Sequence, residues 1–383
     1  MDRRRAVAAS AVLAMALFGV GRTEVVRAQE PGTLTPVVTE ARRREIMQAA
    51  RALTSDTLAE TVRRAEAGDV EAEVLAGIAF LDGEVVPRDV DKAASWIRAA
   101  AEQGHPIGQN MLGNLYNSGS GIPQDPVKAV EWFGKAAAQG YAQAQNNLGV
   151  AYRHGRGVAA NAAEAARLFR LAAEQGNISG QVNLAFAYGR GDGVPRSQRD
   201  AAAWFRKAAE QGDPDGQIQI GLAYHQGWGV GKDKGEAERW YKKASDQGDA
   251  TGSYFYGLLY LEKPAPGRTD PIGTQIAVEA LQLSATRGYA VAAYVLGDLF
   301  SGRIFKYHVT EDELAACAWY VTTSSLDKQG GFDAAPPVVA EEVRKDLPKR
   351  LEKSRKDLGA RLYAECERRA ASWMAAHVRK KQE

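Results

Sequence analysis

Apolar and polar positions along this chain follow a helical period, and the pattern restarts every 36 residues. In the stretch 141–176, Leu148, Val150, Ala151 and Tyr152 fall at helix-compatible spacing between Gln145 and about His154. Ala165, Leu168, Phe169, Ala172 and Ala173 do the same between Ala162 and Gln175, so each unit reads as two helices. Glycines mark the period: Gly68, Gly104, Gly140, Gly176, Gly212 and Gly248 are evenly spaced, and Gly288 follows after a four-residue insertion. Placed just past the last apolar position, Gly176 predicts a helix end in the left-handed conformation that glycine adopts at least cost.

Two more positions keep this phase. A small residue precedes an aromatic by three places in Gly77/Phe80, Gly113/Tyr116, Gly149/Tyr152, Ala185/Tyr188, Gly221/Tyr224, Gly257/Tyr260 and Gly297/Phe300. A bulky apolar residue recurs at Trp96, Trp132, Leu168, Trp204 and Trp240, with Trp319 in the last unit. The small residue predicts close approach of the paired helices, and the bulky one predicts a core position. Gly-x-Gly turns separate the helices at Gly119/Gly121, Gly155/Gly157, Gly191/Gly193 and Gly227/Gly229. No single pair can bury its apolar face, so neighbours stack and the core runs along the array.

Leu112-Gly113-Asn114-Leu115-Tyr116, the turn Gly119-Ser120-Gly121-Ile122-Pro123-Gln124-Asp125, then Ala129-Val130-Glu131-Trp132-Phe133 and Ala136-Ala137-Ala138-Gln139-Gly140 together resemble a Sel1-like repeat. That family is related to the tetratricopeptide repeat, with a slightly longer unit and a glycine turn. The resemblance implies an all-α fold, a right-handed α-solenoid of stacked helix pairs, whose job is to bind a protein. It covers 69–325 as seven repeats: 69–104, 105–140, 141–176, 177–212, 213–248, 249–288 and 289–325. In the sixth, Glu262-Lys263-Pro264-Ala265-Pro266-Gly267 replaces the Gly-x-Gly turn, and in the seventh the turn around Arg303–Val309 is aberrant.

The flanks read as caps. Within 29–68, two polar helices break near Thr54-Ser55-Asp56 and close the first open end of the array, as terminal repeats must. Residues 326–383 form a linker and a long helical tract from Pro336-Pro337 to about His377, with a restart at Pro348. Its apolar stripe, Leu358, Leu362, Tyr363, Cys366, Ala370, Trp373 and Met374, suits packing on the last repeat; a free partner-binding helix is the alternative. Residues 1–28 read as a signal peptide: a basic start at Asp2-Arg3-Arg4-Arg5, an uncharged run from Ala6 to Val20, and small residues in Val26-Arg27-Ala28 before cleavage at Gln29. The run is shorter than the roughly 20 residues that span a bilayer. A periplasmic or secreted location follows, with no membrane insertion of the mature chain. Cys317 and Cys366 read as two separately buried small side chains, with a bridge between the last repeat and the C-terminal tail as the alternative.

Composition adds exclusions. Of 383 residues 45% are hydrophobic and 25% charged, a folded-protein composition, and 49 basic side chains nearly balance 47 acidic ones. Nothing in that balance points to nucleic acid. The glycine turns follow no strand and end in no Gly-Lys-Ser/Thr, so they are not phosphate loops. His105, His154, His225, His308 and His377 lack the paired spacing of metal ligands. Ser325-Leu326-Asp327-Lys328 matches the S-x-x-K of penicillin-recognising enzymes, but without the fold or companion motifs that chemistry needs. The expectation is therefore no catalytic site, no cofactor and no metal, in a monomeric chain that binds a protein or peptide.

The candidate binding residues are polar positions that vary between units on the first helix. They are Asn110, Asn114, Asn117, Asn146, Asn147, His154, Asn183, Arg190, Gln217, Gln219, His225, Gln226 and Tyr254. Positions at i, i+3/i+4 and i+7 share one helical face, and first helices line the inner side of such arrays. A glycan-binding accessory role would need exposed aromatics there, for which Trp228 and Tyr254 are the candidates.

Overall fold

The computed structural model describes residues 40–262, 271–302 and 312–378. The expected signal peptide, the replaced turn beyond Glu262, and the turn Arg303–Val309 with His308 lie outside the described residues. Those described form seventeen helices and no strand. Helices α1 (Glu40–Arg51) and α2 (Ser55–Glu66) lead into seven successive pairs. These are α3 (Val70–Asp82) with α4 (Val90–Glu102), α5 (Pro106–Ser118) with α6 (Pro126–Ala138), and α7 (Ala142–His154) with α8 (Ala162–Glu174). Then come α9 (Ile178–Arg190) and α10 (Gln198–Glu210), α11 (Pro214–Gln226) with α12 (Lys234–Asp246), α13 (Ala250–Leu261) with α14 (Pro271–Thr286), and α15 (Ala290–Phe300) with α16 (Glu313–Asp327). A last helix, α17 (Pro337–His377), closes the order. This is the expected α-solenoid, and it divides into two compact units between Trp204 and Phe205, inside α10.

In the unit ending at Trp204, polar caps set where each second helix starts. Asp89, Asp125 and Asn161 accept the N–H of Lys92, Lys128 and Glu164 at 3.0, 3.1 and 3.1 Å, satisfying donors that the helix cannot. Gly176 ends α8 with φ 85°, as its position required. The second glycine of the turn does more. Gly157 has φ 72°, and a Cβ placed on it would sit 2.0 Å from the Pro126 carbonyl oxygen at the start of the preceding second helix. Gly193 stands in the same relation to the Ala162 carbonyl, again at 2.0 Å. Backbone thus touches backbone from one repeat to the next, and no side chain fits between.

Within a repeat the paired helices close on a glycine. A Cβ on Gly113 would lie 2.6 Å from the Phe133 ring, and one on Gly149 2.7 Å from Phe169. The deepest core position is therefore Ile97, Phe133 and Phe169, exposed by 0%, 4% and 1%. This corrects the expectation that the preceding bulky residue is the core plug throughout. Trp96, Trp132 and Trp204 are half-buried, and Lys135 lies over the Trp132 ring at 3.8 Å. Leu168 alone of that set in this unit is fully buried. Residues one place apart point about 100° apart on a helix, so the ring facing the glycine takes the interior and its neighbour the rim. At the N-terminal end, α1 packs on α3, and Ile46 and Ala50 join a core with Val74, Ile78 and Ile107.

In the unit from Phe205 the same contact recurs as Gly221 on Tyr241 and Gly297 on Tyr320, both tyrosines being almost wholly buried. The core here is more aromatic: Tyr241 stacks on Phe255 at 5.5 Å, and Tyr254 meets Tyr289 edge-on at 5.2 Å. Helix α17 lies against α16, burying Ala340, Val343 and Leu347. Its break falls at Gly359, with φ 71°, and Pro348 sits inside the helix where a restart was expected. Beyond the break, Trp373 packs edge-on against Trp319 at 4.8 Å. Cys366 is joined to Cys317 in a disulfide, so the two cysteines are not the separate small side chains first expected. Closing a loop of 49 residues removes chain entropy corresponding to about 4 kcal/mol. Of the predicted stripe, Cys366 and Ala370 are buried while Leu362 is exposed.

Replacing Phe169 by Ala should lower stability by about 3–5 kcal/mol through the cavity it leaves, whereas Trp132→Ala should cost under about 2 kcal/mol. Denaturant melts of the two variants measure this, and equal losses would contradict the assignment of the core position.

Candidate functional site

The first helices carry three kinds of polar residue, and only one kind faces outward free of packing. A relay of buried amides forms the first kind. After each second helix a glutamine turns back to the first helix of its own repeat: Gln139 donates to Gln109 Oε1, Gln175 to Gln145 Oε1 and Gln247 to Gln217 Oε1, each at 2.8 Å. The receiving amide then donates onward to the end of the preceding second helix, as Gln109 does to the Ala101 carbonyl at 3.4 Å and Gln217 to that of Ala209 at 3.3 Å. Buried amides must be satisfied, and here each satisfies the next. In the first repeat Glu73 occupies the receiving position and accepts from Gln103 at 2.8 and 2.9 Å. Burial pushes the Glu73 carboxyl above its ordinary range, and the Gln103 hydrogen bond only partly opposes this.

Asparagines form a second kind, stapling the first helices of neighbouring repeats. Asn147 donates to Asn110 Oδ1 at 2.9 Å and to Asn114 Oδ1 at 3.3 Å, and Asn183 donates to Asn146 Oδ1 at 2.8 Å. His225 and Glu262 meet in the same way at 2.5 Å, with Lys234 on the other carboxylate oxygen. Burial raises the Glu262 carboxyl, but His225 and Lys234 outweigh it and bring it down to about 2.

The expected binding residues therefore separate. Asn110, Asn146, Gln217, His225 and Tyr254 are exposed by 4%, 5%, 3%, 7% and 5%, so they are packed in the interior, Asn110 alone of them also reaching the lining of a hollow. Asn147, Asn183 and Gln219 are half-buried, and Asn114, Asn117, His154, Arg190 and Gln226 are exposed. Variation between repeats did not distinguish the two groups, because side chains that pair with each other can change together without facing solvent. The pairs do carry a signal, a separation of 37 residues for Asn110/Asn147, Asn146/Asn183 and His225/Glu262. With Tyr254 in the core, one of the two aromatics needed for a glycan platform is gone. Ser325 lies on α16 and donates to the Val321 carbonyl at 3.1 Å. Among the described residues no group of three or more His, Cys, Asp or Glu converges.

Two outward features remain on the first-helix side of the unit ending at Trp204. One is an open hollow of about 190 Å³ lined by Met47, Ile78, Leu81, Ile107, Met111 and Gln143, among others. The other lies where α7 and α9 meet the second helix α8, a cleft bordered by Arg153, Phe169, Asn183, Phe186, Arg190 and Asp192. Arg153 was not among the expected residues. It donates to Asn183 Oδ1 at 2.9 Å and to His154 Nε2 at 3.2 Å, and Arg190 lies over the Phe186 ring at 5.3 Å. Burial and then the charge of Arg190 lower the Arg153 pKa, with Asp192 opposing. Burial, Arg153 and Arg156 likewise lower that of His154.

The comparisons agree with this architecture. The Sel1 repeat family model matches residues 70–105, 106–141, 142–177, 178–213 and 214–249, so this stretch is five Sel1 repeats. A solved Sel1 repeat protein from Oxalobacter formigenes is 28% identical, with TM-score 0.50, over 57% of this chain and 85% of that one. The protective antigen c5321 of uropathogenic Escherichia coli, described as displaying an SLR fold, is 24% identical with TM-score 0.40, over 84% of this chain and 95% of its own. The immunity protein Pa5087 of Pseudomonas aeruginosa is 26% identical with TM-score 0.36, over 53% and 75%. No curated protein matches the sequence. Sel1 repeats are in general non-catalytic modules for protein–protein interaction. No helix among the described residues is long and apolar enough to cross a membrane.

Glu73→Gln would recreate the amide pair of the other repeats. It should raise stability at pH 7 by on the order of 1 kcal/mol. Because the folded Glu73 pKa is raised, its stabilising protonated form is complete at low pH and is lost as pH rises through that value. The advantage of glutamine should therefore shrink toward pH 4, and a gap in denaturation midpoint that widened there would contradict the relay.

Proposed function

We propose that this chain is an exported, non-catalytic scaffold that holds a protein or peptide along the outward face of its first helices. The observation that carries the reading is the division of labour on α5, α7 and α9. Their buried amides tie repeats together, while Asn114, Asn117, His154 and Arg190 stand exposed, and a hollow of about 190 Å³ with Met47, Ile78, Leu81, Ile107 and Met111 in its lining opens among α1, α3, α5 and α7. Exposed amides can hydrogen-bond a peptide backbone, and an apolar hollow supplies an anchor point, the usual division between specificity and affinity. Export is supported by the basic start, apolar run and Val26-Arg27-Ala28 of the first 28 residues. It is supported independently by the Cys317–Cys366 bridge, which an oxidising compartment maintains. On this reading the partner is an envelope or extracellular protein.

Photo-crosslinking amino acids placed singly at Asn114, Asn117 and His154 should capture the same partner in intact cells. The same group at Arg98, Lys135 and Glu174, exposed on the second helices, should not. Equal capture from both sets would overturn the assignment of the face.

A further inference from the structure

We propose that the cleft among α7, α8 and α9 is a carboxylate site that receives an Asp or Glu side chain of an acidic peptide. Arg153 and Arg190 border one cleft, and neither guanidinium forms an ion pair with a carboxylate among the described residues. Arg153 is half-buried, held by the neutral acceptors Asn183 Oδ1 and His154 Nε2, so its charge is oriented but not neutralised. Asp192 at the rim attracts Arg153 less than Arg190 repels it. A half-buried cation facing a second cation is unfavourable in the free protein, and an incoming anion relieves it.

Shape narrows the anion. Phe169 and Phe186 form apolar walls, with Arg153 over the first ring at 5.5 Å and Arg190 over the second at 5.3 Å. The rings back the two guanidinium groups; Arg153 commits Nε and Nη1 to His154 and Asn183, which leaves its Nη2 for a ligand, while Arg190 has its whole guanidinium. The enclosed part of the cleft is only about 10 Å³, room for about one water-sized group, and so for a carboxylate oxygen but not a ring or sugar. Exposed His154 lies on α7 beside the site, and Asn114 and Asn117 stand exposed on the first helix of the preceding repeat, where they would carry the flanking backbone. It rests on the binding face proposed above and adds to it the chemistry of one anchor.

The test is fluorescence anisotropy with labelled hexaglutamate and the full chain, with hexaglutamine, inorganic phosphate and a dT10 oligonucleotide as competitors. Hexaglutamate should bind, hexaglutamine should not, and affinity should fall as salt rises. Arg153→Gln and Arg190→Gln should each weaken binding about tenfold or more, since each removes a charge-assisted hydrogen-bonding group. Asp192→Asn should tighten it. Arg190 makes no hydrogen bond within the fold among the described residues, so its variant reads the site even if Arg153→Gln loosens the helix. Binding that ignores both arginine variants, or an Arg153-dependent preference for phosphate or dT10, would overturn the proposal. If Asn114 and Asn117 still crosslinked a partner in that case, the carboxylate site alone would have failed.

Discussion

The repeat architecture depends on a contact in which backbone meets backbone. Gly157 lies on the first turn of α6 so closely that a methyl group would fall 2.0 Å from the Pro126 carbonyl oxygen, and Gly193 repeats the arrangement on α8. Steric exclusion at that distance is absolute, whereas the side-chain contacts around it can adjust. The turn therefore sets how far each repeat advances on the last, and the 36-residue period in the sequence follows from it. Inside each repeat, Gly113 and Gly149 make a gentler version of the same demand, with an aromatic ring in place of the carbonyl.

Once the advance per repeat is fixed, the amides fall into register. Gln175 reaches Gln145, Gln181 reaches the Ala173 carbonyl, and Asn183 reaches Asn146. Each of these spans a boundary between helices that a different spacing would pull apart. They are neutral hydrogen bonds of modest individual worth, roughly 1 kcal/mol each, but an unmade one would leave a buried amide unsatisfied. The relay therefore selects one stacking geometry among those hydrophobic packing would allow. What the relay does not consume is the outward row of the first helices, where the exposed asparagines and the Arg153/Arg190 cleft lie.

The period, the paired helices, the glycine ends and the close approach at Gly149 were all legible in the sequence, because each is imposed by local geometry that recurs in phase. The inside of the first helices was not. Asn110 and Asn114 look alike in sequence and both accept from Asn147, yet one is 4% exposed while the other faces solvent. About one helical turn separates the two environments, and composition alone does not register it. Trp132 misled in the same way: its size suggested the core, but the ring that meets the glycine is its neighbour Phe133. The Cys317–Cys366 bridge stood only as the alternative because the two residues come together through the return of α17 onto α16, a long-range fact with no periodic signal.

The measurement that reaches furthest into this account is the denaturation midpoint of Gly157→Ala beside that of Gly134→Ala. Gly134 is helical, with nothing within 4 Å of a Cβ placed on it, so alanine there should stabilise by about 0.5–1 kcal/mol through helix propensity. At Gly157 the same methyl meets a carbonyl from a left-handed backbone, and stability should fall by at least about 2 kcal/mol. A Gly157→Ala protein that melts with the wild type would show that the repeats are not held in register by this backbone contact.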